Sequence, residues 1–552
     1  MKILFTSLLF ILSTHIAIAQ TDTGPYVYQI FQDNCTSCHN TSSPAGGLDL
    51  DGVGASLQAK LLNVYQNLYE KTPNNSHAAS RGDKLIYAGN AWRSSLFRKI
   101  NNGLQPNMIL DAAEGDPHSG AMHTISDAEK EVIRQWILFG APTTGQVVDT
   151  SLLRRYYDGE AAPSFQTPPP APAASEGFQI HVGPFFLEEN DEKEFFWKYP
   201  TLLDKDVEVD KLEVMFGPYS HHFIMLEYQS PSVSNLKRPG FRLDNAHSIT
   251  ELVTVQQYPD TLTLPTGSAF FWDKGNVLDM NTHYINYSQT KVASCEAYIN
   301  VYTKPPGTAA QEMKVALLAN VNIFIPNDSL IHTFDERVVN GNNETFLWAL
   351  TSHTHQWGTD FNVYTRDIFG QRDDLIFDAE YEGGDPANFF FGYDYRHPHI
   401  RYYSDFLSLK PNEGLIYEAS YINTGSAPAR WGDTSEDEMM VLAFFYLDDT
   451  AGVSTASPTS ITKGIPDIQV RFGPNPMQHR GSLVVKGHKG RELNLTFYDL
   501  SGRTVYPHIE KSINGDGVIF EIQPKGLKAG VYLWELKDDN GQNVQTGKWF
   551  MQ

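Results

Sequence analysis

The sequence predicts a multidomain chain. An α-helical domain comes first, two mainly antiparallel, jelly-roll-like β-sandwich domains follow, and a small β-sandwich closes the C-terminus. Three observations carry this expectation. Apolar residues recur at helical spacing near the N-terminus, in Val27, Ile30 and Phe31 and again in Val132, Ile133, Trp136 and Ile137. In the middle of the chain, short runs of Tyr, Phe, Val and Thr alternate with turn residues, the pattern of half-buried strands. Two soft stretches, Pro163 to Gly177 and Gly452 to Gly464, break the chain between these regions. The 552 residues have room for about three to five domains.

In chain order, Lys2 and the apolar run Ile3 to Ile18, closing in Ala17-Ile18-Ala19, read as a secretory signal peptide over 1–19. Residues 20–147 follow as the helical domain. Its last helix starts at Ser126, where Glu129 completes a capping box, and ends at Gly140-Ala141-Pro142. Cys35-Thr36-Ser37-Cys38-His39 is a c-type haem attachment motif, in which two thiols form thioethers to the vinyl groups and His39 is the proximal iron ligand. A redox Cys-x-x-Cys pair or half a zinc site is the alternative. The domain therefore reads as a cytochrome c carrying one covalent haem. Met122 is the expected distal ligand, with Met108 and His123 as alternatives. A stiff Pro/Ala-rich linker spans 148–176.

The middle block holds scattered metal-type side chains. Ser352-His353-Thr354-His355 places two imidazoles at i and i+2 of a strand, on one face. His221-His222 and the isolated His283 lie upstream, and Met439 lies downstream in Glu436-Asp437-Glu438-Met439. A thioether favours Cu(I), and imidazole holds copper in both oxidation states, so the set suits redox copper better than zinc. Each piece also has an ordinary structural reading as core or surface. Adjacent histidines on a regular strand face opposite sides, so a shared ion at His221 and His222 requires a bulge.

The order and spacing of these residues resemble the copper type II, ascorbate-dependent monooxygenases, the family of the peptidylglycine- and dopamine-hydroxylating enzymes, over about residues 177–450. The resemblance implies two copper domains, 177–305 and 306–450. His221, His222 and His283 would hold an electron-storing copper, and His353, His355 and Met439 an oxygen-activating copper. It implies hydroxylation of an aliphatic C–H bond of a small-molecule or peptide-like substrate by O2, with ascorbate or a redox protein as electron donor. The fused haem adds a candidate donor within the chain. Two departures stand out. The peptide-amidating members place an arginine two residues before the His-x-His pair and a tyrosine four residues after the methionine, where this chain has Thr351 and Ala443. Without the guanidinium fork, bidentate capture of a peptide carboxylate is lost.

After a linker at 451–466, residues 467–552 read as a small all-β unit. Gly473-Pro474-Asn475-Pro476, Phe497-Tyr498-Asp499-Leu500-Ser501-Gly502, Ala529-Gly530-Val531-Tyr532 and Gly547-Lys548-Trp549-Phe550 resemble the type IX secretion sorting domain of Bacteroidota. That implies the type IX machinery as a partner, with release or tethering outside the outer membrane.

Composition sets exclusions. A net charge of −23 argues against nucleic acid or an anionic membrane as partner. No later apolar run reaches the roughly 18 residues a spanning helix needs. The chain is disulfide-poor: of its three cysteines, Cys35 and Cys38 belong to the haem motif and Cys295 reads as a buried free thiol. A secreted haem/copper electron-transfer or copper-binding protein without oxygenase activity is the alternative function. A zinc hydrolase would have no use for Met439.

Overall fold

The computed structural model describes residues 22–106, 125–162, 168–379, 400–455 and 469–551, with Tyr393 and Tyr395 between the third and fourth stretches. Short gaps within these stretches fall at 218, 257–259, 433–435, 474–479, 487–491, 500–502, 515–516, 529 and 539–542. The expected signal peptide at 1–19 and the candidate iron ligands Met108, Met122 and His123 lie outside the described residues.

The expected fold class needs correction. The structure is 46% strand and 16% helix, spread over many sheets, and among the described residues no α-helical cytochrome c domain is evident at the N-terminus. The described helices are α1 (Thr23–Asn34), α2 (Leu57–Leu68), α3 (Ser76–Ser80), α4 (Ser95–Ile100), α5 (Asp127–Leu138) and α6 (Thr150–Tyr157). None exceeds 12 residues, and 3-10 turns and the two-residue strands β1 (His39–Asn40) and β2 (Ser43–Pro44) interrupt them. Helices this short gain their stability from tertiary packing. Here that packing is partly on sheet, since α5 and α6 lie against strands further along the chain. Local signals do act where the sequence places them. Ser126 and Glu129 close a capping box at the start of α5, and α1 ends where the Cys35 motif begins.

The chain divides into two compact units, 1–262 with 270–308, and 263–269 with 309–552. The first continues through β3 (Ala161–Ala162), β4 (Gly177–Leu187), β5 (Glu192–Pro200), β6 (Val207–Phe216), β7 (Ser220–Tyr228), β8 (Gly240–Arg242), β9 (Thr250–Gln256), β10 (Asp260–Thr263), β11 (Ser268–Trp272), β12 (Val277–Ile285) and β13 (Val292–Lys304). One sheet has the order β8-β5-β12-β7-β9. The other contains β11-β6-β13-β3, with β4 also paired to β13. Cys295 lies on β13, fully buried and free.

The second unit holds β14 (Gln311–Glu312), β15 (Lys314–Ala319), β16 (Phe324–Ile325), β17 (Ile331–Val339), β18 (Thr345–His353), β19 (Gly358–Arg366), β20 (Arg372–Asp378), β21 (Ile400–Leu409), β22 (Gly414–Ile422), β23 (Ala429–Arg430) and β24 (Val441–Leu447). Sheets β15-β24-β18-β21 and β17-β22-β19-β20 enclose an apolar core that includes Leu347, Leu350, Phe361, Tyr417 and Leu442. Alternation sets this register: Leu350 and Leu442 turn inward while their neighbours Thr351 and Ala443 belong to the other face. Residues 469–551 form two further four-stranded antiparallel sheets around Phe497, Phe520, Trp534 and Trp549.

Candidate metal and haem sites

In the first unit, β12 pairs with β7 so that His283 lies directly opposite His222, with ring centroids 5.0 Å apart. The ladder then slips. Tyr284 pairs with Ser220, which leaves His221 as the extra residue of a β-bulge. The tandem pair therefore does not follow the regular alternation that would send neighbours to opposite faces. The His221 side chain itself is outside the described residues.

Both described imidazoles are held from behind. His222 Nε2 is 2.9 Å from Asn281 Oδ1, and the Asn281 amide donates to Glu194 at 2.6 Å. His283 Nε2 is 2.7 Å from Glu192 Oε1. Each partner oxygen can only accept, so each Nε2 is the donor, which leaves Nδ1 as the nitrogen able to offer a lone pair to a metal. Burial pushes Glu194 up. Its hydrogen bond to His222, the charges of His222 and His283 and the Asn281 amide outweigh burial and hold it at about 2. Glu192, Glu194 and Asn281 are the site residues the sequence reading missed. The signal was the alternation Glu192-x-Glu194, which means little until β5 is known to lie beside β12.

In the second unit, His353 ends β18 and His355 follows in the turn, with ring centroids 5.1 Å apart at 84°. His353 pairs with Val441 at the start of β24, and Met439 sits two residues before that strand. The link between them is Glu438, which is fully buried. Its carboxylate accepts the backbone N–H of His355 (2.8 Å), Trp357 (2.6 Å) and Met439 (3.1 Å). Burial raises this carboxyl to about 7, against the pull of those N–H donors. His355 Nδ1 lies 3.1 Å from the Asp437 carbonyl, so it donates there and Nε2 carries the lone pair. The Tyr421 hydroxyl fixes the other side of the loop by donating to the Met439 carbonyl at 2.8 Å. Thr351 and Ala443, the two departures from the peptide-amidating members, are cross-strand partners.

Among the described residues no three His, Cys, Asp or Glu side chains converge as a ready metal cluster. Each candidate centre has two described imidazoles. Its third member is His221 in one case and a thioether, outside those residue types, in the other. The donor chemistry fits copper: neutral imidazoles oriented by outer carboxylate, amide or carbonyl partners, and one soft sulfur.

The Cys35 motif forms a tight turn off the end of α1, with Cys38 N and His39 N both donating to the Cys35 carbonyl (3.1 and 2.9 Å). Cys35 is buried, Cys38 exposed and His39 half-buried. Burial pushes the Cys35 thiol up to about 11, the reverse of what a redox-active thiol needs. His39 Nδ1 approaches the Leu48 carbonyl at 3.3 Å, which turns Nε2 toward any axial ligand role. An apolar cleft lined by Val27, Phe31, Leu61, Val64 and Trp136 opens between α1, α2 and α5.

Residues 472–550 match the family described as Secretion system C-terminal sorting domain. The tail is a type IX secretion sorting domain. The sorting domain marks the chain for export across the outer membrane, to the cell surface or the medium, and makes the secretion machinery its partner. Among the described residues no helix is long and apolar enough to cross a membrane. No curated protein matches the chain. Solved structures match weakly. "Biofilm associated protein - BSP domain" is 9% identical over 69% of this chain and 82% of that one, with a TM-score of 0.14. "Structure of infectious bursal disease virus Gx strain" is 12% identical over 53% and 79%, with a TM-score of 0.13. Scores this low carry no conclusion about fold or function.

Proposed function

We propose that this exported protein is a copper-dependent monooxygenase that hydroxylates an aliphatic C–H bond with O2, and that a haem attached at Cys35 and Cys38 delivers electrons to it. The observation that best supports this reading is the pairing of His222 with His283 at the bulge made by His221. That bulge is the local irregularity two adjacent histidines need in order to serve one ion.

His221, His222 and His283 would hold one copper, His353, His355 and Met439 the other, and His39 the haem iron. The first copper and the haem supply one-electron transfer, and the second copper supplies oxygen activation. The chain's own part is positioning. Glu192 and Asn281 fix the rings of His283 and His222, and Glu438 ties the His355 turn to Met439.

In the sheet that ends in His353, Leu317, Ala443, Thr351 and Ile400 align across four strands, all uncharged, with Thr351 and Ala443 buried. Uncharged packing at these positions, in place of an arginine, favours a neutral, largely apolar substrate over a peptide carboxylate. The same row, with nothing to grip a charged substrate, is also what a secreted haem/copper electron-transfer protein without oxygenase activity would have.

Metal content per chain decides the matter. The proposal expects two coppers and one haem, with one copper lost in His222→Ala, and likewise in His353→Ala and Met439→Leu. Haem without specific copper would overturn it. Copper and haem without substrate-dependent O2 uptake would leave the electron-transfer reading.

A further inference from the structure

The β8-β5-β12-β7-β9 sheet has two faces with different occupants. Strand alternation puts His283 and Asn281 of β12 on one face, with Glu194 of β5 and His222 of β7 as their neighbours. On the other face are Phe195 and Trp197 of β5, Tyr284 of β12 and Phe241 of β8. That second face is covered by the N-terminal segment together with β4.

The Phe139 ring, just past α5, meets Phe195 at 5.6 Å and Phe241 at 5.5 Å. The Trp197 indole donates to the Gly89 carbonyl at 2.8 Å. Gly89 and Gly240 touch backbone to backbone, because a Cβ on Gly89 would lie 2.4 Å from Gly240 N. Beside this contact Gln135 donates to the Pro184 carbonyl at 2.6 Å. Trp92 stacks on His181 (4.7 Å, 16°), which stacks in turn on Tyr298 (4.2 Å, 4°). β3 then adds two residues parallel to β13. Even the proline stretch is held, since Gln179 and Asn300 donate to the Pro169 and Pro170 carbonyls, both at 3.1 Å.

We propose that segments 22–106 and 125–162 are permanently docked on the back of the sheet whose front carries His222 and His283, so that the haem segment and the first copper centre act as one fixed body. The electron-transfer part rests on the proposed function; the docking does not. Aromatic contacts, buried hydrogen bonds and a glycine-on-glycine approach resemble a domain core more than a transient interface. With haem held at Cys35, Cys38 and His39 and copper at His222 and His283, the transfer would be of one electron from the reduced haem to the oxidised copper, with no proton moved and no bond formed or broken. Because the docked segment and the sheet belong to one compact unit, no swing of the proline-rich segment would be required.

The test uses the full, metal-loaded chain with a specific protease site built into the exposed stretch Ala173–Glu176. After cleavage the two fragments should co-elute in native size exclusion and part only in denaturant. Reoxidation of the reduced haem in the presence of copper and O2 should run at the same rate before and after the cut. Fragments that separate under native conditions would overturn the docking. Fragments that stay together while the haem reoxidises more slowly after the cut would overturn the fixed-body route. Fragments that stay together with a haem that never reoxidises, cut or uncut, would overturn the proposed function and leave the docking standing.

Discussion

The Glu438 carboxylate accepts the Trp357 backbone N–H at 2.6 Å, and its other oxygen accepts those of His355 and Met439. One buried side chain thus sets the spacing between the His-x-His turn and the methionine loop. Removing it in Glu438→Ala leaves buried N–H donors without their acceptor, and the second unit should lose about 3 kcal/mol in urea unfolding. Glu438→Gln keeps one accepting oxygen and should lose less. Equal losses in the two variants would show that the carboxylate does not organise the loop.

The outer partners of the first site should matter nearly as much as its ligands. Glu192→Ala frees the His283 ring to reorient, and copper affinity at the first centre should fall about tenfold or more with the second centre unchanged. Competition with a copper chelator reads this directly. An unaltered affinity would mean that Glu192 does not orient the ligand.

His181 gives the first unit a pH dependence. Burial lowers this imidazole from its ordinary value of 6.5, against the opposing pull of its hydrogen bond to Glu296. On acidification the unfolded chain takes up this proton before the folded chain does. The stabilisation is therefore complete above pH 6.5 and fades as pH falls below it. His181→Gln should flatten the loss of unfolding free energy as pH falls below 6.5. A slope identical to that of the parent would refute the assignment.

The contact between Gly89 and Gly240 has no slack. Both residues have positive φ, 81° and 80°, and the nearest neighbours of a new Cβ are backbone atoms that cannot rotate away. Gly240→Ala should destabilise the first unit by about 2 kcal/mol or more. Gly275, where a new Cβ would meet nothing within 4 Å, is the matched control for positive φ alone. Equal losses at the two positions would mean that the close approach adds nothing.

Deleting residues 472–550 should leave the protein on the inner side of the outer membrane, as measured by cell fractionation. Appearance of the truncated chain outside the cell would show a second export signal.

What the sequence made legible was local. The α5 capping box, the helix leading into Cys35 and the strand pattern of the tail depend on spacings within a few residues, and the structure places each where the pattern does. Pairings between distant segments were not legible. Nothing in the sequence tells that Glu192 will lie beside His283, that Thr351 will face Ala443, or that Phe139 will pack against a sheet built from residues 192–285. The expected helical domain failed for the same reason. Helical periodicity in α1 and α5 reports an apolar face but not its partner, and part of the partner is sheet. Glu438 was legible only as part of the stretch around Met439, because a carboxylate beside a methionine looks like surface until its N–H donors converge on it.

Cys295 has a use of a different kind. With Cys35 and Cys38 bonded to haem as proposed, it would be the last reactive sulfur among the chain's three cysteines, and it has no exposed surface. Burial also raises its thiol well above the ordinary value, so little thiolate exists in the closed state. A thiol reagent added to the intact protein would therefore count opening events of β13, one label per excursion. The labelling half-life becomes a clock for how often the body shared by β13 and the N-terminal segment comes apart.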